Sequence, residues 1–375
     1  MNFIDLQTQY KLIESEINSG IKKILDSGTY IMGAEVAQLE KLLAQYSGVK
    51  HCLTCSSGTD ALLIPLMAWG ITSGDAVFSS PFTFIATSEV VRILGATPVF
   101  VDIEPDTFNI SPGKLREKII EVKKEGKLNP KAIIPVDLFG LTADYNEIEK
   151  IAKEFGLLVL EDAAQSFGAD YNGKKSCSFG DAAATSFYPA KPLGCYGDGG
   201  AVFTNNDELF DIMQSIRVHG QGHDKYNNVR VGINGRLDTI QAAVLLAKMK
   251  LFDNEIVLRN KAANKYNLQL GEYLTVPQIP NSCQSVWAQY SVLADDEQQR
   301  ANVQKYLADN KIPTAIYYPK PLHLQEAFKD LNYSTGDFPV SENIASRIFS
   351  LPMHPYLKDE EIELICSKII EYFTQ

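Results

Sequence analysis

Between Leu157 and Asn205 the chain reads LLVLEDAAQSFGADYNGKKSCSFGDAAATSFYPAKPLGCYGDGGAVFTN, and this run restricts the fold more than any other part of the sequence. Apolar residues Leu157 to Leu160, closed by Glu161 and Asp162, predict a buried strand whose C-terminal end opens into a pocket. Ser186 follows after a loop. Lys191 then lies within PAKPLGCYGDGG, hemmed by Pro189, Pro192, Gly194, Gly197, Gly199 and Gly200. Glycine and proline at that density forbid an ordinary helix, so Lys191 is expected on an irregular loop. The stretch 168–175 nearly spells a phosphate-binding GxxxxGK[ST] loop, but Lys175 takes the Ser/Thr position and no helical pattern follows. Asn172-Gly173 reads instead as a hairpin turn.

An aspartate, a serine and a lysine on successive strand ends suit pyridoxal phosphate (PLP). That cofactor needs a lysine amine for its aldehyde and a carboxylate against its pyridine nitrogen, which then stays protonated. We assign Lys191 to the aldehyde, Asp162 to the nitrogen and Ser186 to the phosphate. Singly, the aspartate would read as a helix cap and the lysine as a solvated charge. Their order within one strand-rich stretch is what carries the reading.

EDAAQSFGA followed by SFYPAKPLGCYGDGGAVFTN resembles the sugar-nucleotide aminotransferases of the DegT/DnrJ/EryC1/StrS family, and the resemblance covers essentially the whole chain. It is nearest to bacterial enzymes that aminate C3 of UDP-2-acetamido-2-deoxy-3-oxo-glucuronate. The resemblance implies the fold type I architecture of PLP enzymes, an α/β fold. Residues 1–245 would form a large domain around a mainly parallel seven-stranded sheet, and residues 246–375 a smaller α+β domain. It also implies a homodimer with shared active sites, a nucleotide-sugar substrate and L-glutamate as amino donor.

Taken in order, the remainder of the chain fits that plan. Residues 1–50 carry two helical patterns separated by a glycine-flanked loop, 29–33. His51 to Cys55 predicts a strand, which makes the lone Cys52-Leu-Thr-Cys55 a pair of strand residues and not a zinc or redox motif. Ser56-Ser57-Gly58-Thr59-Asp60 then opens a helix, where free backbone N–H groups make a natural anion site. The family places the PLP phosphate on the segment matching Gly58 and Thr59. Ala76 to Ser79 predicts a strand and Thr83 onward a helix. Phe84 just past the strand end is a candidate to stack on the pyridine ring, as an aromatic does in the family. Pro98 to Asp102 and Lys131 to Val136 predict further strands, and Asp137 is given no role. Repeated strand–helix alternation yields a parallel sheet with ligands at its C-terminal edge. Gln165 is placed to hydrogen-bond the cofactor's ring face or hydroxyl, where family members carry Gln or His.

Asn234 and Arg236 precede a strongly amphipathic helix. By the resemblance, Asn234 reaches the PLP phosphate of the other subunit, and Arg236 lies beside the site, where its guanidinium suits a carboxylate or phosphate. His219 and His223 are separated by glycines that spoil a metal-binding helix face, so no metal is expected. In IPTAIYYPKPLHLQ, Tyr317 and Tyr318 match a substrate-touching pair, although the nearest family members often carry His at the position of Tyr317. His323 in the same proline-rich segment is left between surface packing and a role at the site, and the later His354 is read as structural.

A net charge of −11 argues against nucleic acid and against an anionic membrane surface, so a pocket for an anionic nucleotide sugar must be locally positive. The N-terminus MNFIDLQTQYK lacks a basic segment followed by an apolar run, and no stretch is long enough for a membrane span, so a cytoplasmic protein is expected. Among rival readings, the related PLP dehydratases replace the lysine by His, and Lys191 argues against them. A nicotinamide dehydrogenase lacks its GxGxxG. An aminotransferase acting at C4 of a UDP- or dTDP-keto sugar stays open, since the cofactor site would be the same. A silent regulatory protein on this scaffold is disfavoured by the presence of both Asp162 and Lys191.

Overall fold

Residues of the central strands alternate between two apolar faces, and helices cover both. The computed structural model describes residues 1–224 and 226–375. Its central sheet has seven strands: β1 (His51–Cys55), β2 (Asp75–Ser79), β3 (Thr97–Phe100), β4 (Asn129–Ile133), β5 (Leu158–Asp162), β6 (Ala182–Ser186) and β7 (Gly200–Thr204). They lie in the order β1-β7-β6-β5-β4-β2-β3, and β7 alone runs against the rest. Period-2 alternation sends Leu53, Ala182, Ala184 and Val202 to one face, against the helix Gly58–Ala68. Cys52, Ala183, Ala201 and Phe203 go to the other, against Val36, Leu39 and Leu43 of helix Ala34–Ser47. Burial on both faces is what a parallel sheet requires.

Local expectations are met with small shifts. The helix expected from Thr83 begins at Ala86, because Thr83 and Phe84 stay in the turn that follows β2. The strand expected over Lys131 to Val136 ends at Ile133: Pro135 has no N–H for the ladder, and only an isolated bridge joins Val136 to Asp162. The N-terminal segment holds three helices, since the first pattern breaks at Ile13 into Leu6–Leu12 and Glu14–Ser27. Asn172 (φ 54°) and Gly173 (φ 79°) form the expected hairpin turn between two short antiparallel strands.

A single helix, Thr239–Leu270, crosses from the large sheet to the C-terminal part. Its 32 residues span about 48 Å at 1.5 Å each. Its first half packs Leu245 and Phe252 under the sheet, and its second half packs Ala263, Tyr266 and Leu270 in the C-terminal core. Positions 245 and 246 both lie inside it. The C-terminal core closes around the antiparallel pair Tyr290–Leu293 and Ile348–Leu351. No described helix is long and apolar enough to cross a membrane.

Candidate active site

Six of the seven strands point their C-terminal ends to one edge of the sheet, and a cavity of about 680 Å³ opens there. Asp162 ends β5 opposite Ala184 of its parallel neighbour β6, and Ser186 ends β6 two residues further on, at the same edge of the sheet. Nine of the eleven residues expected at the site line this one cavity: Gly58, Thr59, Phe84, Asp162, Gln165, Ser186, Lys191, Tyr317 and Tyr318.

The Asp162 carboxylate is buried and receives two hydrogen bonds, from Thr87 Oγ1 at 2.8 Å and from the Ala164 N–H at 3.2 Å. Burial pushes its pKa up, opposed by those two donors and by the charge of Lys191. The Lys191 amine is held below the usual lysine range by burial, with Asp162 pulling the other way. The pair is thus a carboxylate and an amine in one pocket, each drawn toward its neutral form by desolvation and toward its ionic form by the other.

Beside them lies an anion cradle. Gly58 and Thr59 are the first two residues of their helix, whose N–H groups have no carbonyl within it to bond. The next one, at Asp60, is capped by Ser57 Oγ at 3.0 Å. A Cβ on Gly58 would lie 2.6 Å from Ser186 Cβ and 2.9 Å from its Oγ, so the close seat of this turn on Ser186 requires glycine. Ser186 Oγ accepts from the Tyr188 N–H at 3.2 Å, which leaves its own hydrogen free to donate. Two backbone N–H groups, a hydroxyl and a helix N-terminus in a cavity that also holds a half-buried lysine and a buried carboxylate fit the phosphate, aldehyde and ring nitrogen of PLP.

Phe84 is 56% exposed, with its ring 6.5 Å from that of Tyr318. Gln165 is buried and bonded at both ends: Oε1 accepts from the Phe139 N–H at 2.7 Å, and Nε2 donates to Tyr318 Oη at 3.1 Å. Its amide thereby joins the sheet edge to the C-terminal part. Two expected residues stay outside the cavity. Asn234 is exposed and sits in a bridge to Val218. Arg236 is half-buried, and its Nε has no partner among the described residues. Their segment adjoins the cradle, because the Gly235 carbonyl accepts from the Ser56 N–H at 3.0 Å. His323 is buried against Glu342 (3.0 Å), and His354 is buried too. Among the described residues no cluster could hold a metal ion.

Sequence reasoning missed three features. Thr87, the donor to Asp162, stands alone in a helix and bonds 75 residues away. Phe3 and Ile4 of the N-terminus also line the cavity. Asp137 is fully buried behind the site, accepting from the Ala143 N–H, Tyr145 Oη (both 2.9 Å) and Ser166 Oγ (2.7 Å). Burial raises its pKa to about 7 and raises that of Glu161, which the Asp137 charge lifts further.

A sequence model of the DegT/DnrJ/EryC1/StrS aminotransferase family matches residues 11–370, and the chain belongs to that family. It is 47% identical over 370 residues to the UDP-2-acetamido-2-deoxy-3-oxo-D-glucuronate aminotransferase of Pseudomonas aeruginosa, covering 98% of this chain and 99% of that one. It is 41% identical over 374 residues to a Geobacillus stearothermophilus protein named a pleiotropic regulatory protein, covering 99% and 98%. Among solved structures, a DegT/DnrJ/EryC1/StrS aminotransferase from Brucella abortus superposes with a TM-score of 0.97 at 50% identity, covering both chains fully. NtdA from Bacillus subtilis, with bound cofactor PMP, superposes at 0.88 with 29% identity, covering 100% of this chain and 83% of that one.

Proposed function

We propose that the protein is a PLP-dependent sugar-nucleotide aminotransferase that moves an amino group, from L-glutamate, onto C3 of UDP-2-acetamido-2-deoxy-3-oxo-glucuronate. It would serve the synthesis of amino sugars for bacterial surface polysaccharide, in the cytoplasm. The observation that carries the reading is the pairing of half-buried Lys191 with buried Asp162 in one cavity, in a chain that aligns over nearly its whole length with the Pseudomonas aeruginosa aminotransferase.

PLP bound there supplies an aldehyde that bonds amines and a ring that accepts electrons. Asp162 serves the ring nitrogen, and Thr87 and Ala164 favour its ionised form by donating to it. Gly58, Thr59 and Ser186 would hold the phosphate, and Phe84 would cover the ring face. Gln165 keeps one amide hydrogen for the cofactor after its bond to Tyr318. Lys191 would hold the cofactor through its aldehyde and, when free of it, would take up and return a proton at its own Nζ. Its lowered pKa suits that work, since a neutral amine is the form that accepts a proton. Tyr317 and Tyr318, which line the cavity, would face the sugar nucleotide, and Arg236, outside that cavity, would reach it from beside the site. Asn234, outside the cavity of its own subunit, would serve the phosphate of a partner's site in a homodimer. Residues 1–245 would then be the cofactor-binding domain and 246–375 the smaller one.

The test runs the reaction backwards, because amino sugars keep better than keto sugars. The PLP-loaded protein is mixed with UDP-2-acetamido-3-amino-glucuronate, and absorbance is followed as pyridoxamine phosphate forms. Rapid loss of the lysine-bound cofactor band supports the whole reading. Tyr317, where the nearest relatives often carry His, favours a second substrate: loss only with a 4-amino or dTDP-linked sugar would keep the class and move the substrate. Failure of the protein to bind PLP would overturn the class itself.

A further inference from the structure

Lys248 is 1% exposed, in the middle of the long helix. Lysine is almost never buried so fully without a partner for its charge. No salt bridge involves it among the described residues. Its Nζ instead donates to the Gly194 carbonyl at 2.6 Å and lies 4.3 Å from the centre of the Tyr196 ring. Gln241 stands two turns earlier on the same helix face. Its Oε1 accepts from the Tyr196 N–H at 2.8 Å, and its Nε2 donates to the Tyr196 carbonyl at 3.3 Å. The helix therefore grips the backbone of Gly194 and Tyr196 at three points.

Those residues are the base of the loop that carries Lys191. The Cys195 N–H donates to the Phe187 carbonyl at 2.8 Å and closes the loop, and the Lys191 N–H donates to the Tyr188 carbonyl at 2.9 Å within it. The two limbs touch: a Cβ on Gly194 would lie 2.5 Å from the Pro189 oxygen and 2.7 Å from that of Tyr188. A displacement at Gly194 is consequently passed to the residues that bracket Lys191, with little slack to absorb it. Packing alone does not call for a cation at position 248. An apolar side chain of similar volume would fill the space without the cost of burying a charge.

We propose that Lys248, aided by Gln241, is a positioning residue for the reaction: it anchors the base of the loop on which Lys191 stands and so sets the place of the Lys191 amine against Asp162 and the cofactor aldehyde. The inference rests on reading Lys191 as the cofactor lysine. It assigns Lys248 no contact with substrate.

The test starts from full-length apoprotein. PLP is added, the bond to Lys191 is trapped with borohydride at timed intervals, and the labelled peptide is quantified by mass spectrometry. Wild type, Lys248→Met and Lys248→Arg are compared, with the fold checked by circular dichroism. Lys248→Met is expected to label Lys191 about tenfold more slowly, the order of loss that a misplaced reacting group produces. Lys248→Arg, which keeps the donor and the charge, should recover most of that rate. In turnover, Lys248→Met should lower kcat and leave the KM for the sugar nucleotide within twofold. Labelling of Lys248→Met within twofold of wild type would overturn the proposal, whatever its melting temperature. Should Lys248→Met not fold, Gln241→Ala decides: slower labelling supports the anchor, and an unchanged rate refutes it. Failure of wild type itself to label at Lys191 would refute the cofactor assignment and not the anchor alone.

Discussion

Replacing Thr87 by valine removes one oxygen and keeps the shape of the side chain. In the wild-type protein that oxygen donates to Asp162 Oδ2 at 2.8 Å, and the other carboxylate oxygen keeps only the longer bond from the Ala164 N–H, 3.2 Å. A hydrogen bond to an ionised group contributes about 1.5–3 kcal/mol, and removing it leaves a buried acceptor unsatisfied. Burial already pushes the Asp162 pKa upward, so loss of the donor pushes it further in the same direction. Less of the protein then holds the carboxylate that the ring nitrogen needs. The expected result is a loss of kcat/KM of roughly 10- to 100-fold at neutral pH, the kinetic equivalent of that energy. The acidic limb of the pH–rate profile should move to higher pH, and raising the pH should recover part of the loss. The assay is initial-rate kinetics across pH on PLP-loaded Thr87→Val beside wild type. A loss under about threefold with an unmoved acidic limb would refute the view that Thr87 maintains the charge of Asp162.

Lys191→Ala should abolish multiple turnover and leave the circular dichroism spectrum unchanged; sustained conversion of keto sugar by that variant would remove Lys191 from the reaction. Mixing Lys191→Ala with Asn234→Ala subunits, each inactive alone, should restore about a quarter of wild-type activity, since half the dimers are hybrids with one intact site. Mixed subunits that exchange without any gain would speak against shared sites. Asp137 has its pKa raised to about 7 by burial, above an unfolded value near 3.9. The folded state therefore holds an extra proton between those limits, and its contribution to stability is present below about pH 4 and lost as pH rises toward 7. Asp137→Asn should flatten the fall of melting temperature across that window, which thermal melts at a series of pH values would check.

Much of the site was legible because its chemistry lies in short local strings. Asp162 closes an apolar strand, Lys191 stands among glycines and prolines that bar a helix, and Gly58 opens a helix after a strand. Each pattern is a statement about nearby backbone, which sequence reports well. Thr87, Asp137 and Lys248 were not legible for the opposite reason. Their partners lie 75, 29 and 54 residues away for the bonds to Asp162, Ser166 and Gly194. An isolated threonine, aspartate or lysine in a strand–helix alternation carries no mark of such a partner.

The residue pattern alone specified a two-faced, mainly parallel sheet and put the reactive groups at its C-terminal edge, because side-chain periodicity and turn chemistry act over a few residues. Packing between distant segments settled the rest. The order of the strands brought Asp162 and Ser186 to neighbouring strand ends. The long helix brought Lys248 under the lysine loop. The turn after β2 kept Phe84 out of the helix and at the cavity, and closure by the C-terminal part seated Tyr318 on Gln165. Those contacts depend on which surfaces meet once the chain is folded, and a burial pattern along the chain says that a face is covered without saying by what.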